Sequence, residues 1–448
     1  MESMVTVDFG LEAGRIRQRL HGAGFSPSFA FRGIQDLTPA LKEMNFSALR
    51  THDWALFNPG QRIIDTHFVF PLMNQDPSDP ANYYFAATDD ILGMCRLEGI
   101  PVSYRLGSSI DHRGKNPHNV LPPADPVAYA EVLAGIVRHY TRGWANGFEW
   151  GDTMREWAIW EEPDSVPMLW RGSAEEFCRL FAIVLKRLKR EFPELKFGGP
   201  SLCSCKLDYF NRLLAACREA GTEPDFISWN GYGSNVAAMA AQPEQARKML
   251  DEAGLRKCEI SLTEWHYLLK WEGLHANVTP ESYKDAVGGA TGMHGIDSAV
   301  FNLALLTALH DTPLDSAFYY GCGYDGTWGI RTVYKDMNKN FYSLKLFGEL
   351  VSGYQTRVRT SSAADTLYAL GTISEDEKRG ALLVSDYRGT NTSVTVSVKG
   401  MDGATLSAVV LDDRRNLRPL RVTCADGLLE LPKRAPGSAG FLMTFERP

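Results

Sequence analysis

Two short apolar runs in this chain end in glutamate. Glu156-Trp-Ala-Ile-Trp-Glu-Glu-Pro-Asp164 reads as a buried strand that stops abruptly. Trp157 to Trp160 favour extended backbone, and Pro163, with no N–H to offer a ladder, forbids its continuation. Glu161 and Glu162 are left at the C-terminal tip. Cys258-Glu-Ile-Ser-Leu-Thr-Glu-Trp265 repeats the pattern and leaves Glu264 at a second tip. A carboxylate at the end of a buried strand is costly unless something uses it, the plain alternative being a solvated pair at a strand-to-loop corner. In a parallel α/β barrel such tips open into the active site, where carboxyl groups serve acid–base and nucleophilic chemistry.

The elements that must hold these tips follow from the pattern. Short strands are expected at 21–25, 46–50, 100–106, 157–160, 195–199, 226–229, 259–263 and 316–320. Helical stretches alternate with them at 89–98, 125–140, 174–192, 207–220, 243–253 and 283–309. A further helix opens at Thr38-Pro39 with Thr38 as its N-cap, and Ser173 caps the helix at 174. Eight strands alternating with helices predict an α/β fold, a TIM (β/α)8 barrel. A doubly wound sheet would carry a glycine-rich phosphate turn after its first strand, and Gly22-Ala-Gly24 lacks that context. Beyond residue 350 short strands separated by turns, at 366–370, 380–387, 393–398, 404–411 and 428–431, predict a β-sandwich. The domains are therefore expected as a barrel over 13–350 and a sandwich over 351–448, with an edge strand in 1–12 free to join the sandwich.

Composition narrows the partners. Across 448 residues the formal net charge is −7 with no basic block, so neither nucleic acid nor an anionic membrane is the expected partner. No apolar run is long enough to span a bilayer, and residues 1–14 lack the basic and apolar regions of a secretory signal. Cys95, Cys178, Cys217 and Cys258 lie in apolar stretches and read as thiols of a reducing compartment, which makes a cytoplasmic location the expectation. Cys203 and Cys205 have no companion pair. His21, His112, His118, His139 and His294 show no ligand spacing, so neither metal nor cofactor is expected.

The chain resembles glycoside hydrolase family 39, which includes β-xylosidases and α-L-iduronidases. The likeness runs in order through Tyr84-Phe85 with Asp89, Trp157 to Pro163, Trp170-Arg-Gly-Ser-Ala-Glu-Glu-Phe177, Lys196-Phe-Gly-Gly-Pro200, Asp225-Phe-Ile-Ser228 and Thr263-Glu-Trp265. The resemblance implies a carbohydrate substrate and a retaining double displacement, with Glu162 as acid/base and Glu264 as nucleophile. The fourth and seventh strands face each other, so these carboxyls can lie roughly 5–5.5 Å apart, as that mechanism needs.

Three positions depart from the family pattern. Glu161 stands where the family has the Asn that grips the sugar 2-hydroxyl, Asn230 where it usually has His, and Arg105 where a Glu is common. Arg105 is expected either to neutralise Glu161 or to grip an acidic substrate. For Glu161 the favoured reading is direct contact with the sugar 2-substituent, the other being structural support. Arg50, His52 and Asp53 end the second strand, where the family carries substrate-binding residues. Trp54, Trp265, Tyr267 and Trp328 are candidates to wall the sugar, and Tyr232 to donate to Glu264. His266 reads as a loop histidine and Asp164 as a loop cap, while Glu149, Glu156 and Glu259 read as solvated charges. Besides a retaining exo-glycosidase, the sequence leaves open a transglycosidase, an inverting hydrolase and a sugar-binding pseudoenzyme. It also leaves open a homo-oligomer.

Overall fold

A computed structural model describes residues 4–26, 36–52, 54, 63–108, 119–272, 274, 279–321, 326–332 and 334–448. The first strand, β1 (Met4–Arg15), is followed by eight parallel strands that close in sequence order. These are β2 (Gly22–Ala23), β3 (Leu49–Arg50), β4 (Val102–Leu106), β5 (Glu156–Ile159), β6 (Lys196–Leu202), β7 (Phe226–Gly233), β8 (Glu259–Tyr267) and β9 (Ser316–Tyr319). The pairing of β2 with β9 completes the barrel. Alternation along each strand sorts the side chains between interior and outer wall. On β4, Tyr104 faces outward, its ring 5.0 Å from Trp157 and 6.0 Å from Tyr140 of the helix Pro126–Arg142. Its neighbours Ser103 and Arg105 therefore face the interior.

The remaining strands are β10 (Thr356–Ser362), β11 (Leu367–Ile373), β12 (Arg379–Gly389), β13 (Ser393–Lys399), β14 (Thr405–Leu411), β15 (Arg418–Pro419), β16 (Leu428–Pro432) and β17 (Gly437–Glu446). With β1 they form one sheet in the order β15-β14-β17-β12-β11-β10-β1-β13-β16. Only the β1–β13 pair is parallel. The sheet curls over on itself. Phe9 of β1 and Phe445 of β17, well separated in the strand order, meet with ring centroids 5.2 Å apart. Together with Val5, Val7, Val396, Leu431 and Phe441 they form a second core inside a sandwich. The architecture is thus a TIM barrel with a C-terminal β-sandwich.

The helix Ile296–Leu309 lies between the two units. It is apolar nearly all round and buried along almost its whole length, as such a helix must be. A Cβ on Gly440 of β17 would come within 2.6 Å of its Leu303, so glycine there permits the sheet to sit directly on the helix.

Three local expectations are corrected. The helix expected at 283–309 is broken, with Pro280–Tyr283 running into a π-turn at Lys284–Gly288 before the chain restarts at Ile296. Gly288, Gly289, Gly292 and Gly295 cause the break, and a Cβ on Gly295 would lie 2.1 Å from the Gly289 carbonyl oxygen. Thr38 sits inside its helix, and Asp36 Oδ1 accepts the Thr38 N–H at 2.9 Å instead. Glu156 and Glu259 are not loose surface charges. They meet Arg19 at the N-terminal end of the barrel, and Glu259 also meets Lys196.

A chain ending at Gly353 would expose the sandwich-facing side of the helix Ile296–Leu309 and leave β1 without its partners. Such a fragment is expected to be recovered insoluble, because the uncovered face is a large contiguous apolar patch. A soluble fragment with cooperative unfolding, measured by circular dichroism, would contradict this.

Candidate active site

The tip of β5 is built from unusual backbone. Trp160 has φ 73° and Glu162 φ 40°, both in the left-handed region that side chains with a Cβ disfavour. Each such residue costs on the order of 1–3 kcal/mol and persists only where its surroundings over-determine it. Here they do. The Trp160 N–H donates to the Leu106 carbonyl at 2.7 Å and its indole N–H to Leu169 at 2.9 Å, while the Glu162 N–H donates to Ser201 at 3.0 Å. The double twist interrupts alternation, so adjacent glutamates serve one site. Glu161 is buried at 1% exposure and Glu162 is half-buried.

Arg50, at the end of β3, is fully buried and joins the two glutamate tips. Its Nη2 is bonded to Glu161 Oε2 and lies 3.1 Å from Ser201 Oγ, while its Nη1 donates to Glu264 Oε1 at 3.1 Å. His52 stands beside it, with Nε2 3.2 Å from Glu264 Oε1 and Nδ1 3.8 Å from Glu161 Oε2. The guanidinium next to Glu161 is therefore that of Arg50, one strand further round, and not that of Arg105. The Arg105 backbone N–H donates to Thr51 Oγ1 at 2.9 Å.

Asn230 of β7 completes the floor. Its Nδ2 donates to Glu161 Oε1 and to Glu162 Oε1, both at 2.9 Å, and its Oδ1 accepts from Thr263 Oγ1 at 3.0 Å. Both amide hydrogens are thereby committed. Both oxygens of Glu161 are bonded inside the protein, as in a buried support. Against the expected sugar contact, Arg50 and Asn230 reach Glu161 from inside the protein, which favours the structural-support reading.

The carboxyls of Glu162 and Glu264 are both pushed up. Burial and then the Glu161 charge raise Glu162 to about 7. Burial, followed by the same charge, raises Glu264 as well, while Arg50 and the Tyr232 hydroxyl pull it back. Tyr232 Oη donates to Glu264 Oε2 at 2.5 Å, and burial holds that phenol well above its ordinary range, so it remains a neutral donor. Glu264 thus receives a guanidinium and a phenol, whereas Glu162 receives the Asn230 amide and the Cys203 thiol, both uncharged. The guanidinium and the phenol favour the ionised form at Glu264 more than the contacts of Glu162 do there. Because Glu162 Oε1 accepts from Asn230, the proton belongs on Oε2.

Aromatic rings stand beside Glu264. Trp328 meets Tyr232 at 5.3 Å, Tyr320 at 5.3 Å, His266 at 5.2 Å and Trp271 at 6.1 Å. Trp271 is 51% exposed and offers an accessible face. Trp271 and Tyr320 were not anticipated; Tyr320 follows β9 directly, a position where a barrel residue can reach the mouth. Three expected wall residues are elsewhere. Alternation that turns Glu264 inward turns Trp265 and Tyr267 away. Trp265 is buried against Tyr319 at 5.1 Å, and Tyr267 packs on Phe301 at 5.5 Å. Trp54 is buried too, with its indole N–H on the Gly24 carbonyl at 2.8 Å.

His266 lies within β8, not in a loop. Its Nδ1 faces the Tyr267 carbonyl at 2.8 Å and must donate, so Nε2 accepts from Tyr319 Oη at 2.7 Å. Burial lowers its pKa to about 3, leaving it neutral. Asp164 tethers loops, accepting from the Cys203 N–H at 3.0 Å and pairing with Lys206 at 2.7 Å. Asp53 lies outside the described residues.

Among the described residues one group has metal-ligand geometry. His52, Glu161 and Glu264 each offer an atom within 4.8 Å of the others. The Arg50 guanidinium is bonded to both carboxylates of that group, so a second cation there would meet its charge.

Comparison with known proteins places these features. Residues 34–259, just over half of the chain, match the pattern described as Glycosyl hydrolases family 39. The match includes Glu162 and ends before Glu264. A β-xylosidase of Caldicellulosiruptor saccharolyticus is 22% identical over 339 residues, covering 68% of this chain and 63% of the relative. A β-xylosidase of Geobacillus stearothermophilus is 27% identical over 120 residues, covering 26% of this chain and 23% of the relative. The chain therefore spans less than two thirds of either. Among solved structures, a glucosidase from Croceicoccus marinus aligns with TM-score 0.79 at 21% identity, covering 100% of both chains. A family 39 β-xylosidase from Caulobacter crescentus aligns with TM-score 0.68 at 15% identity over 99% of both. At these identities the likeness is one of fold.

Glu161→Gln would leave half of Arg50's charge unanswered. Breaking a buried pair from one side costs about 3–5 kcal/mol, so urea unfolding should show a loss of that order. The same substitution removes the charge that helps raise Glu162, and its pKa should fall. A loss below about 1 kcal/mol with a changed glycoside profile would place Glu161 against the sugar instead.

Proposed function

We propose that this chain, which belongs to glycosyl hydrolases family 39, is a retaining glycoside hydrolase acting on small glycosides. The observation that carries this reading is the unequal support of two carboxyls at one barrel mouth. Glu264 faces a guanidinium and a phenol that favour its ionised form, and Glu162 is pushed up to about 7, where it holds a proton near neutral pH. That asymmetry is what a nucleophile and an acid/base require.

In the first step Glu264 attacks the anomeric carbon while Glu162 gives its Oε2 proton to the departing glycosidic oxygen. A covalent glycosyl–enzyme forms and the aglycone leaves. In the second step Glu162, now a carboxylate, takes a proton from water, whose oxygen attacks the same carbon and releases Glu264. Two inversions leave the anomeric configuration retained. Arg50 and Tyr232 hold the nucleophile in place throughout, and the rings of Trp328 and Trp271 offer apolar faces to the sugar. The names of the relatives make β-linked pentosides and glucosides the first substrates to test.

Two measurements follow on a panel of nitrophenyl glycosides. Glu264→Gln should abolish turnover. Glu162→Gln should keep activity only on substrates with good leaving groups, and azide should then yield a glycosyl azide of retained configuration. Full activity of either variant on an unactivated substrate refutes the assignment. The pH profile of kcat/KM should have a basic limb near 7: the rate falls as pH rises through the point where Glu162 loses its proton. A rate that is flat from pH 6 to 9 would rule out Glu162 as the acid.

A further inference from the structure

The sandwich touches the ends of the two strands that carry Tyr232 and Glu264, and it does so through consecutive residues. Tyr387 Oη donates to the Ser234 carbonyl at 2.9 Å, just beyond β7. Arg388 Nη2 donates to Tyr267 Oη at 2.8 Å, at the last residue of β8. Neighbours on a regular strand point to opposite faces, so a regular β12 could not aim both at the barrel. Arg388 has φ 58°, and the register with β17 slips between Asp386 and Gly389, which makes this a bulge. Gly389 is required there, since a Cβ would lie 2.0 Å from the Asp386 carboxylate. That carboxylate is itself buried and paired with Lys433 at 2.6 Å, which also donates to the Gly389 carbonyl at 3.2 Å.

The bulge is anchored on its far side too. Arg388 Nε donates to Asp297 Oδ2 at 2.8 Å, at the start of the helix Ile296–Leu309, and Ser438 Oγ donates to Asp297 Oδ1 at 2.6 Å. The Tyr267 hydroxyl passes its hydrogen to the Thr291 carbonyl at 2.7 Å. Tyr387 and Tyr267 both pack on Phe301, at 5.8 and 5.5 Å. β7 and β8 pair with each other as far as Gly233 and Tyr267, and one pinned segment braces both ends of that pair from the sandwich side. Between those ends runs the hydrogen bond from Tyr232 to Glu264.

We propose that Tyr387 and Arg388 are positioning residues for the reaction, a strut by which the sandwich sets the spacing of the β7 and β8 tips and so the contact between Tyr232 and Glu264. This rests on the hydrolase reading above for its kinetic consequence, though not for its structural one. Loosening the strut lengthens the Tyr232–Glu264 bond, which favours the ionised carboxylate. The other groups facing Glu264 come from elsewhere and stay in place: Arg50 and His52 at β3, and Glu161 and Glu162 at the β5 tip.

The test uses the full chain with Arg388→Ala, Arg388→Lys and Tyr387→Phe. Arg388→Ala should lower kcat at least tenfold with KM within twofold. It should also move the acidic limb of the pH profile upward, because Glu264 ionises less readily. Arg388→Lys, which can still bond Tyr267 or Asp297, should recover part of kcat, and Tyr387→Phe should fall between. Carbon-13 NMR of the glutamate carboxyls in the substrate-free protein reads the Glu264 titration without turnover and should show the same upward displacement. If the variants keep the wild-type kcat, acidic limb and Glu264 titration, the strut is refuted. A wild-type chain that cleaves no glycoside refutes the hydrolase reading, and the NMR titration then decides the strut alone.

Discussion

The buried guanidinium of Arg50 lets three carboxyl groups occupy one barrel mouth. Taking each charge out of water costs several kcal/mol, and like charges within a few ångströms raise that cost further. Arg50 offsets it by reaching Glu161 with one nitrogen and Glu264 with the other. Burial and the Glu161 charge push the third, Glu162, up to about 7. The unequal support of Glu162 and Glu264 follows from that sharing, since Arg50 and Tyr232 reach Glu264 and not Glu162.

The scaffold is arranged around that constraint. Arg50 must come from β3, Glu161 and Glu162 from β5, Asn230 from β7 and Glu264 from β8, and closing the parallel barrel brings these tips together. Adjacent glutamates on β5 can serve one site only because left-handed backbone at Trp160 and Glu162 interrupts alternation. Asn230 then keeps the two from acting as a simple like-charge pair, since each gives one oxygen to the same amide. Strain at the tip and packing beneath it are coupled: Trp160 holds its conformation because both its N–H groups are bonded.

Much of the framework could be read from the sequence. Hydrophobic runs of strand length, each closed by a turn or a helix start, carry enough information to count eight barrel strands and to see the pattern change near residue 350. Of the strands that escaped notice, β15 is two residues long, and β10 and β17 are polar or open with glycine, so their period-two pattern is weak. The long helix before β9 failed for a related reason: its apolar content was visible, but four glycines outweighed it. Site residues were legible where chain position alone places them, as at the strand tips. They were misread where a side chain's direction decides. Trp265 and Tyr267 follow Glu264 in sequence but face the outer wall, and Glu161 found its cation on β3 because the partner depends on the closed barrel's geometry. Trp271 and Trp328 come from separate loops that the sequence does not bring together.

We propose that Glu264 is the attacking carboxylate and that the reaction passes through a covalent intermediate. It is tested most directly by trapping. The protein is incubated with an activated 2-deoxy-2-fluoro glycoside of the sugar it turns over, then digested and mapped by mass spectrometry. One equivalent of fluorosugar esterified to Glu264 is the predicted result. Label on Glu161 or Glu162, or an unlabelled enzyme whose product has the inverted anomeric configuration, would contradict it.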